Sequence, residues 1–258
     1  MSTLTRTRSL AKAEGLQFTR NRTILAMGVA LPLLFPLGMF FLYRRIGTPE
    51  MATSGALEMF ITFALIFIQF YSVLSMATTR RDEKVLKRLR TGEATDREIL
   101  TALCLPGAVL LVVMSVLLAV VLVLAGAPLP VNPVPVVVAL LLGIVFMSAL
   151  GLLTSAFTRN AEAAQITSMP VILLFLASMS SFRSMVEGRL AEIIDYTPFA
   201  LILDLAQLGW LGATAPDAPV LSAGEVFAES WQRMLVLLLW TLASVWASNR
   251  YMRWDTHR

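Results

Sequence analysis

The sequence predicts an all-α integral membrane protein with six transmembrane helices, and three observations carry that reading. Hydrophobic residues make up 57% of the 258 positions and charged residues only 15%, against about 25% charged in a soluble domain. Mean hydropathy is +0.74. The apolar residues fall into runs near the length that a hydrocarbon core requires, about 20 residues, and Lys and Arg gather between those runs on one side. The formal net charge of +4 is accordingly read as membrane-flanking charge and not as a nucleic-acid surface.

The spans follow in order. Thr23–Tyr43 is the first, free of charge inside and fenced by Arg20, Arg22, Arg44 and Arg45. It starts late and runs too long for the apolar core of a signal peptide. The second covers about 56–76 and holds one acid, Glu58, near its outer end. The third covers about 99–126. The fourth, about 134–157, follows a loop with three prolines, Pro128, Pro130 and Pro133, which forbid a helix there. The fifth covers about 165–182 and the last about 234–248. Pro198–Leu211 is apolar but too short to span, and it contains Asp204. With the mixed segment Met185–Ile194 it is expected to form a re-entrant or interfacial hairpin in the outer leaflet, so that 183–232 is an extracellular hairpin and loop.

Basic residues orient the chain. Arg6, Arg8, Lys12, Arg20 and Arg22 precede span 1; seven Lys and Arg lie between Arg80 and Arg97; Arg159 follows span 4; Arg250, Arg253 and Arg258 end the chain. The other side has Arg44, Arg45, Arg183 and Arg189, with Arg233 at the border of the last span. Both termini are therefore expected in the cytoplasm, which requires an even number of spans. The segment Ser9–Arg22 is expected to be an interfacial helix entering span 1. The two halves differ in loop length and charge, so an inverted repeat is unsupported.

The chain offers little for chemistry of its own. Its single cysteine, Cys104, cannot form an intrachain disulfide, and its single histidine, His257, is next to last. Hydrolytic triads and metal centres lack their ligands. Glu58 is the one ionisable residue within a span, and it is expected to be an interfacial carboxylate reaching water. No P-loop pattern occurs, so any ATP-driven work requires a partner chain. The docking surface for such a partner is sought in the basic loop 79–98. Residues 80–90 are good helix formers, Val85, Leu86 and Leu89 share one side, and Gly92 suits a helix stop. Thr95 and Glu98 form a capping box that starts the next helix. A short helix with an apolar stripe and a basic rim suits a groove on another protein; a solvated loop on anionic headgroups is the alternative.

The run Val85-Leu86-Lys87-Arg88-Leu89-Arg90 resembles the L-K-R-L-R signature of the ABC type-2 permease family. That signature usually follows a glycine-threonine pair, here replaced by Lys84-Val85, and precedes a T-P element, here Thr91-Gly92-Glu93-Ala94. Arg20-Asn21-Arg22-Thr23 is similar to the family's basic segment before span 1, and Asp195-Tyr196-Thr197-Pro198-Phe199 to its re-entrant region. The resemblance implies a single permease domain in a bacterial plasma membrane. It implies two permease copies, as a homodimer or heterodimer, and two ABC ATPase subunits that hold the ATP and Mg²⁺, leaving this chain without cofactor. It also implies that Glu83, Lys84, Val85, Leu86, Lys87, Arg88, Leu89 and Arg90 form the coupling helix contacting the ATPase, with the 183–211 hairpin as outer gate. Members export drugs, antibiotics, lipids, peptides or polysaccharides.

The resemblance further implies a route along spans 1, 2 and 5, and the residues there would make it apolar. Phe60, Phe63, Phe67, Phe70 and Tyr71 are read as one helical face of span 2, with Gln69 as a polar handle elsewhere on it; Met27, Phe35 and Met169 join from spans 1 and 5. Such a lining favours a hydrophobic or amphipathic cargo over a polysaccharide. The alternatives are a secondary transporter dependent on Glu58, a lipid-modifying enzyme needing clustered acids that the loop does not isolate, and a sensor or immunity subunit.

Overall fold

The computed structural model describes residues 22–91, 95–214, 218–252 and 254, with backbone alone for 22–28 and Arg90. The expected N-terminal interfacial helix, Gly92 and His257 lie outside the described residues. Every regular element among the described residues is helical, with no strand.

Helix α1, Arg22–Ile46, carries Pro32 and Pro36 inside and Arg44 and Arg45 in its last turn, where cations favour the helix dipole. Thr48 then caps the next helix, accepting from the Met51 N–H at 3.2 Å, and Pro49 occupies a first-turn position that needs no N–H. One helix of 34 residues follows, Pro49–Asp82, about 50 Å long at 1.5 Å per residue. It comprises α2, Pro49–Phe63; a π segment, Ala64–Tyr71; and α3, Ser72–Asp82.

The π segment is wider than an α-helix, and its neighbours make room for it. A Cβ at Gly107 of α5 (Asp96–Leu124) would lie 2.7 Å from the Ile68 carbonyl oxygen. One at Gly151 of α6 (Pro133–Phe157) would lie 2.9 Å from that of Phe70. Between these approaches Gln69, fully buried, donates to Ser148 Oγ at 2.6 Å and to the Cys104 carbonyl at 3.2 Å.

Between α3 and α5 lies the short helix α4, Val85–Arg90. The predicted capping box is present: Glu98 N–H donates to Thr95 Oγ1 at 3.4 Å and Thr95 N–H to Glu98 Oε2 at 2.8 Å. The proline loop also holds, with Asn132 capping α6 by accepting from Val134 N–H at 3.0 Å. The fifth expected span is interrupted: α7 is Ala164–Thr167 and α8 is Met169–Ala177, with Pro170 in the first turn of the second piece. Short helices α9, Ser180–Arg183, and α10, Arg189–Asp195, lead to α11, Pro198–Leu211. The chain closes with α12, Ala223–Tyr251.

Among the described residues four helices are long and apolar enough to cross a membrane: Val29–Ile46, Pro49–Asp82, Asp96–Leu124 and Pro133–Phe157. Each of the six expected runs is mostly helical. The fifth is short, and Glu225, Glu229 and Arg233 dilute the apolar character of the last helix. Helix α11 corrects the interfacial expectation. It is buried at every position from Pro198 to Trp210, packed against α6, α12 and α2. A 14-residue helix apolar on nearly all sides has no face to offer water, so it becomes a core helix. The proline loop fastens its end, the Val131 N–H donating to the Trp210 carbonyl at 3.1 Å and Trp210 Nε1 to Pro128 at 2.9 Å.

Candidate coupling surface and far-end ion cluster

The predicted helix over 80–90 is broken in the structure. Helix α3 stops at Asp82, and Lys84 takes a left-handed conformation, φ 59° and ψ 16°, the one non-glycine residue with positive φ among the described residues. That turn folds α4 back beneath α3. Leu86 is then fully buried, in a cluster with Val73, Ala77, Ile99, Leu103 and Leu152; burying one leucine contributes about 2 kcal/mol. Leu89 packs against the same cluster, and Val85 is half-buried. The apolar stripe that the sequence assigns to a partner's groove is therefore spent within the chain, which corrects Leu86 as a contact. The outward surface of the segment is Glu83, Lys84, Lys87 and Arg88, with Arg80 and Glu83 paired at 3.4 Å. The Arg90 side chain lies outside the described residues.

Arg81, read in the sequence only as flanking charge, is 1% exposed. Its guanidinium donates to the Ser155 carbonyl at 2.7 Å and the Thr158 carbonyl at 2.5 Å. These carbonyls end α6, where a helix presents unpaired acceptors and the negative end of its dipole. The signal was in the spacing: Val73, Ala77 and Arg81 follow i, i+4, i+8, so Arg81 sits on the core stripe of α3.

At the far end of the same long helix Glu58 is 5% exposed, which corrects its reading as a carboxylate in contact with water. It accepts from the backbone N–H of Ser180 and from Ser180 Oγ, the latter at 2.6 Å. Beside it Arg183 grips both oxygens of Asp204, at 3.1 and 2.5 Å, and Asp195 Oδ1 at 2.9 Å. Burial alone would lower the Arg183 pKa; Asp204, then Asp195 and Glu58, outweigh it and hold the pKa above its ordinary value. The cluster borders a polar vestibule of ≈ 780 Å³ that also meets Glu229, Trp231 and Arg233. Sequence reasoning missed it because its members come from four separate helices.

The aromatic face of span 2 divides. Phe60 and Phe70 are core residues, 2% and 0% exposed, and Gln69 is enclosed as described. Phe63, Phe67 and Tyr71 remain half-open at i, i+4, i+8, with Phe35 of α1 edge-on to Phe63 at 5.7 Å and Phe67 at 6.0 Å from Phe63. The π segment changes the register that a uniform α-helix would have given. Met169 is exposed at the start of α8, and the Met27 side chain lies outside the described residues.

The sequence profile of the ABC-2 type transporter family matches residues 5–204. The chain belongs to the ABC-2 type transporter family. A search of curated proteins found no match to it. As an ABC-2 protein it is a multi-pass membrane permease, a transport subunit of an ABC transporter. The ABC-2 match covers the coupling segment and Arg183 and ends at Asp204, within α11. Lys84, which with Val85 stands in place of the glycine-threonine pair in the resemblance drawn from the sequence, occupies a left-handed turn that glycine adopts without cost.

Proposed function

We propose that this permease is the membrane subunit of an ATP-driven exporter, with six spans, both termini cytoplasmic and its basic end docked on ABC ATPase subunits in a bacterial plasma membrane. Two permease copies would work together, and ATP and Mg²⁺ would be held by the ATPases. The observation that carries the reading is the coupling segment: α4 is anchored by Leu86 into α3, α5 and α6 while Glu83, Lys84, Lys87 and Arg88 face outward. A push on that surface moves three helices together, because Arg81 also joins α3 to α6. The hairpin from Arg183 to Leu211 would form the outer gate, latched to the same long helix through Ser180–Glu58 and braced within itself by Arg183–Asp204. The half-open face of Phe35, Phe63, Phe67 and Tyr71 suits a hydrophobic or amphipathic cargo.

The test is co-purification with an ABC ATPase encoded beside this protein, using a tag on the permease. Lys87→Glu with Arg88→Glu reverses the outward charge and leaves Leu86 in place. ATPase retention by the wild type and its loss in this variant, at unchanged elution of the permease, is the expected result. An ATPase held equally by both removes the coupling role of 83–90. Transport that needs no ATPase and stops with a proton uncoupler would replace the exporter reading by a secondary transporter.

A further inference from the structure

Helix α5 packs chiefly on the π segment and α3, whereas α12 packs along α6. At the basic end the three helices α5, α6 and α12 consequently stand apart and enclose a cleft of ≈ 520 Å³, within the size range of ligand sites. It is separate from the coupling surface and from the half-open aromatic face. Its deeper walls are apolar, formed by Leu105, Ala108, Ile144, Val145 and Val245. Its mouth is polar and holds Arg97, Thr101 and Asn249, all exposed. The Arg97 guanidinium makes no ion pair, and the Asn249 side chain no hydrogen bond, among the described residues. Its neighbour Glu98 is engaged with Thr95 in the capping box.

We propose that this cleft is a binding site for an anionic phospholipid of the inner leaflet, with one acyl chain between α5 and α6 and its phosphate on Arg97. The proposal rests on the orientation given above. A guanidinium offers paired donors that match phosphate oxygens, and the Asn249 amide adds donors beside it. A soluble phosphate would satisfy Arg97 and leave the apolar cleft open. A neutral apolar chain would fill the cleft and leave both polar side chains unused. An anionic phospholipid satisfies both halves, and the anionic surface of the inner leaflet supplies it. Leu100 and Leu152 line the cleft and also belong to the cluster that seats Leu86. The lipid would therefore brace the anchor of the coupling helix from the opposite side.

The probe is the full-length protein in nanodiscs of phosphatidylcholine with phosphatidylglycerol, released into mild detergent and weighed by native mass spectrometry. Wild type is expected to retain phosphatidylglycerol over phosphatidylcholine. Arg97→Gln is expected to lower that preference about fivefold. Val145→Phe, or Ala108→Phe from the other wall, is expected to abolish retention, while Val113→Phe, at a position 54% exposed and outside the cleft, leaves it unchanged. Elution and circular dichroism matching wild type qualify each variant, and the two wall variants substitute for one another if either misfolds. Equal retention of both lipids by wild type would mean annular contact only and overturn the proposal. So would retention that survives Arg97→Gln and both wall variants, and so would displacement of the lipid by millimolar inorganic phosphate. None of these outcomes depends on an ATPase, so the site stands or falls apart from the exporter reading.

Discussion

The two ends of the helix Pro49–Asp82 are fixed by different chemistry. At the basic end Arg81 binds main-chain carbonyls of Ser155 and Thr158, and Leu86 is held by apolar burial. At the far end Glu58, Arg183, Asp195 and Asp204 bind one another or a serine through side chains. The two bonds of the first attachment end on main-chain carbonyls, which do not titrate. The second is a side-chain cluster whose Arg183, Asp195 and Asp204 line a polar vestibule, so that water can reach the Arg183 ion pairs. If the proposed roles hold, the coupling input has to move as a body and the gate has to release, and the two attachments differ in that sense.

Substitutions can break the comparison. Arg81→Leu is expected to cost about 4 kcal/mol, two charge-assisted bonds of about 2 kcal/mol each lost in full burial. Loss below 1 kcal/mol in a detergent unfolding titration would remove the claim of an inner lock. Arg183→Leu is expected to cost about 3 kcal/mol, the low end for a broken buried pair because water reaches the vestibule. Adding Asp204→Leu should recover most of that loss, since the buried carboxylate that Arg183 gripped is then gone and Asp195, 53% exposed, is solvated by water. The Ser155 and Thr158 acceptors of Arg81 are main-chain carbonyls, which no second substitution can remove. Equal behaviour of the two in such a cycle would erase the distinction.

Smaller changes sharpen it. Gly107→Ala sets a Cβ 2.7 Å from the Ile68 carbonyl and is expected to cost about 2 kcal/mol by overpacking. Gly38→Ala, with nothing within 4 Å, is expected to gain about 0.8 kcal/mol from helix propensity. The pair separates the fit of the π segment from a general effect of losing glycine. Lys84→Gly should give the smallest change, a gain of about 0.5 kcal/mol, since relief of the left-handed turn exceeds glycine's entropy cost only slightly. A loss of stability there would mean that the Lys84 side chain, and not only the turn, holds α4.

Much of this fold is written locally. Spans 1 to 4 are legible because apolar runs end at charges or prolines, and Thr95 with Glu98 announces a helix start through a pattern four residues long. The π segment has no such pattern. It depends on the space left by Gly107 and Gly151, which are distant in sequence. The stripe of Val85, Leu86 and Leu89 was visible, but amphipathicity says only that a face is covered, not which chain covers it. The bond from Ser180 to Glu58 joins residues 122 positions apart, and nothing in either neighbourhood names the other. Arg81 was legible only if its place on a core stripe outweighed its company among surface cations.

The widened stretch Ala64–Tyr71 has a mechanical consequence. It accommodates residues that a uniform α-helix over the same span would have to pass along to one side. Moving a single residue out of it would rotate one half of the rod against the other by about 100°. Both halves are clamped, at Arg81 and at Glu58, so that rotation cannot leak away at a free end. Torque applied near Lys84 would then either turn the Glu58 end or be taken up within Ala64–Tyr71.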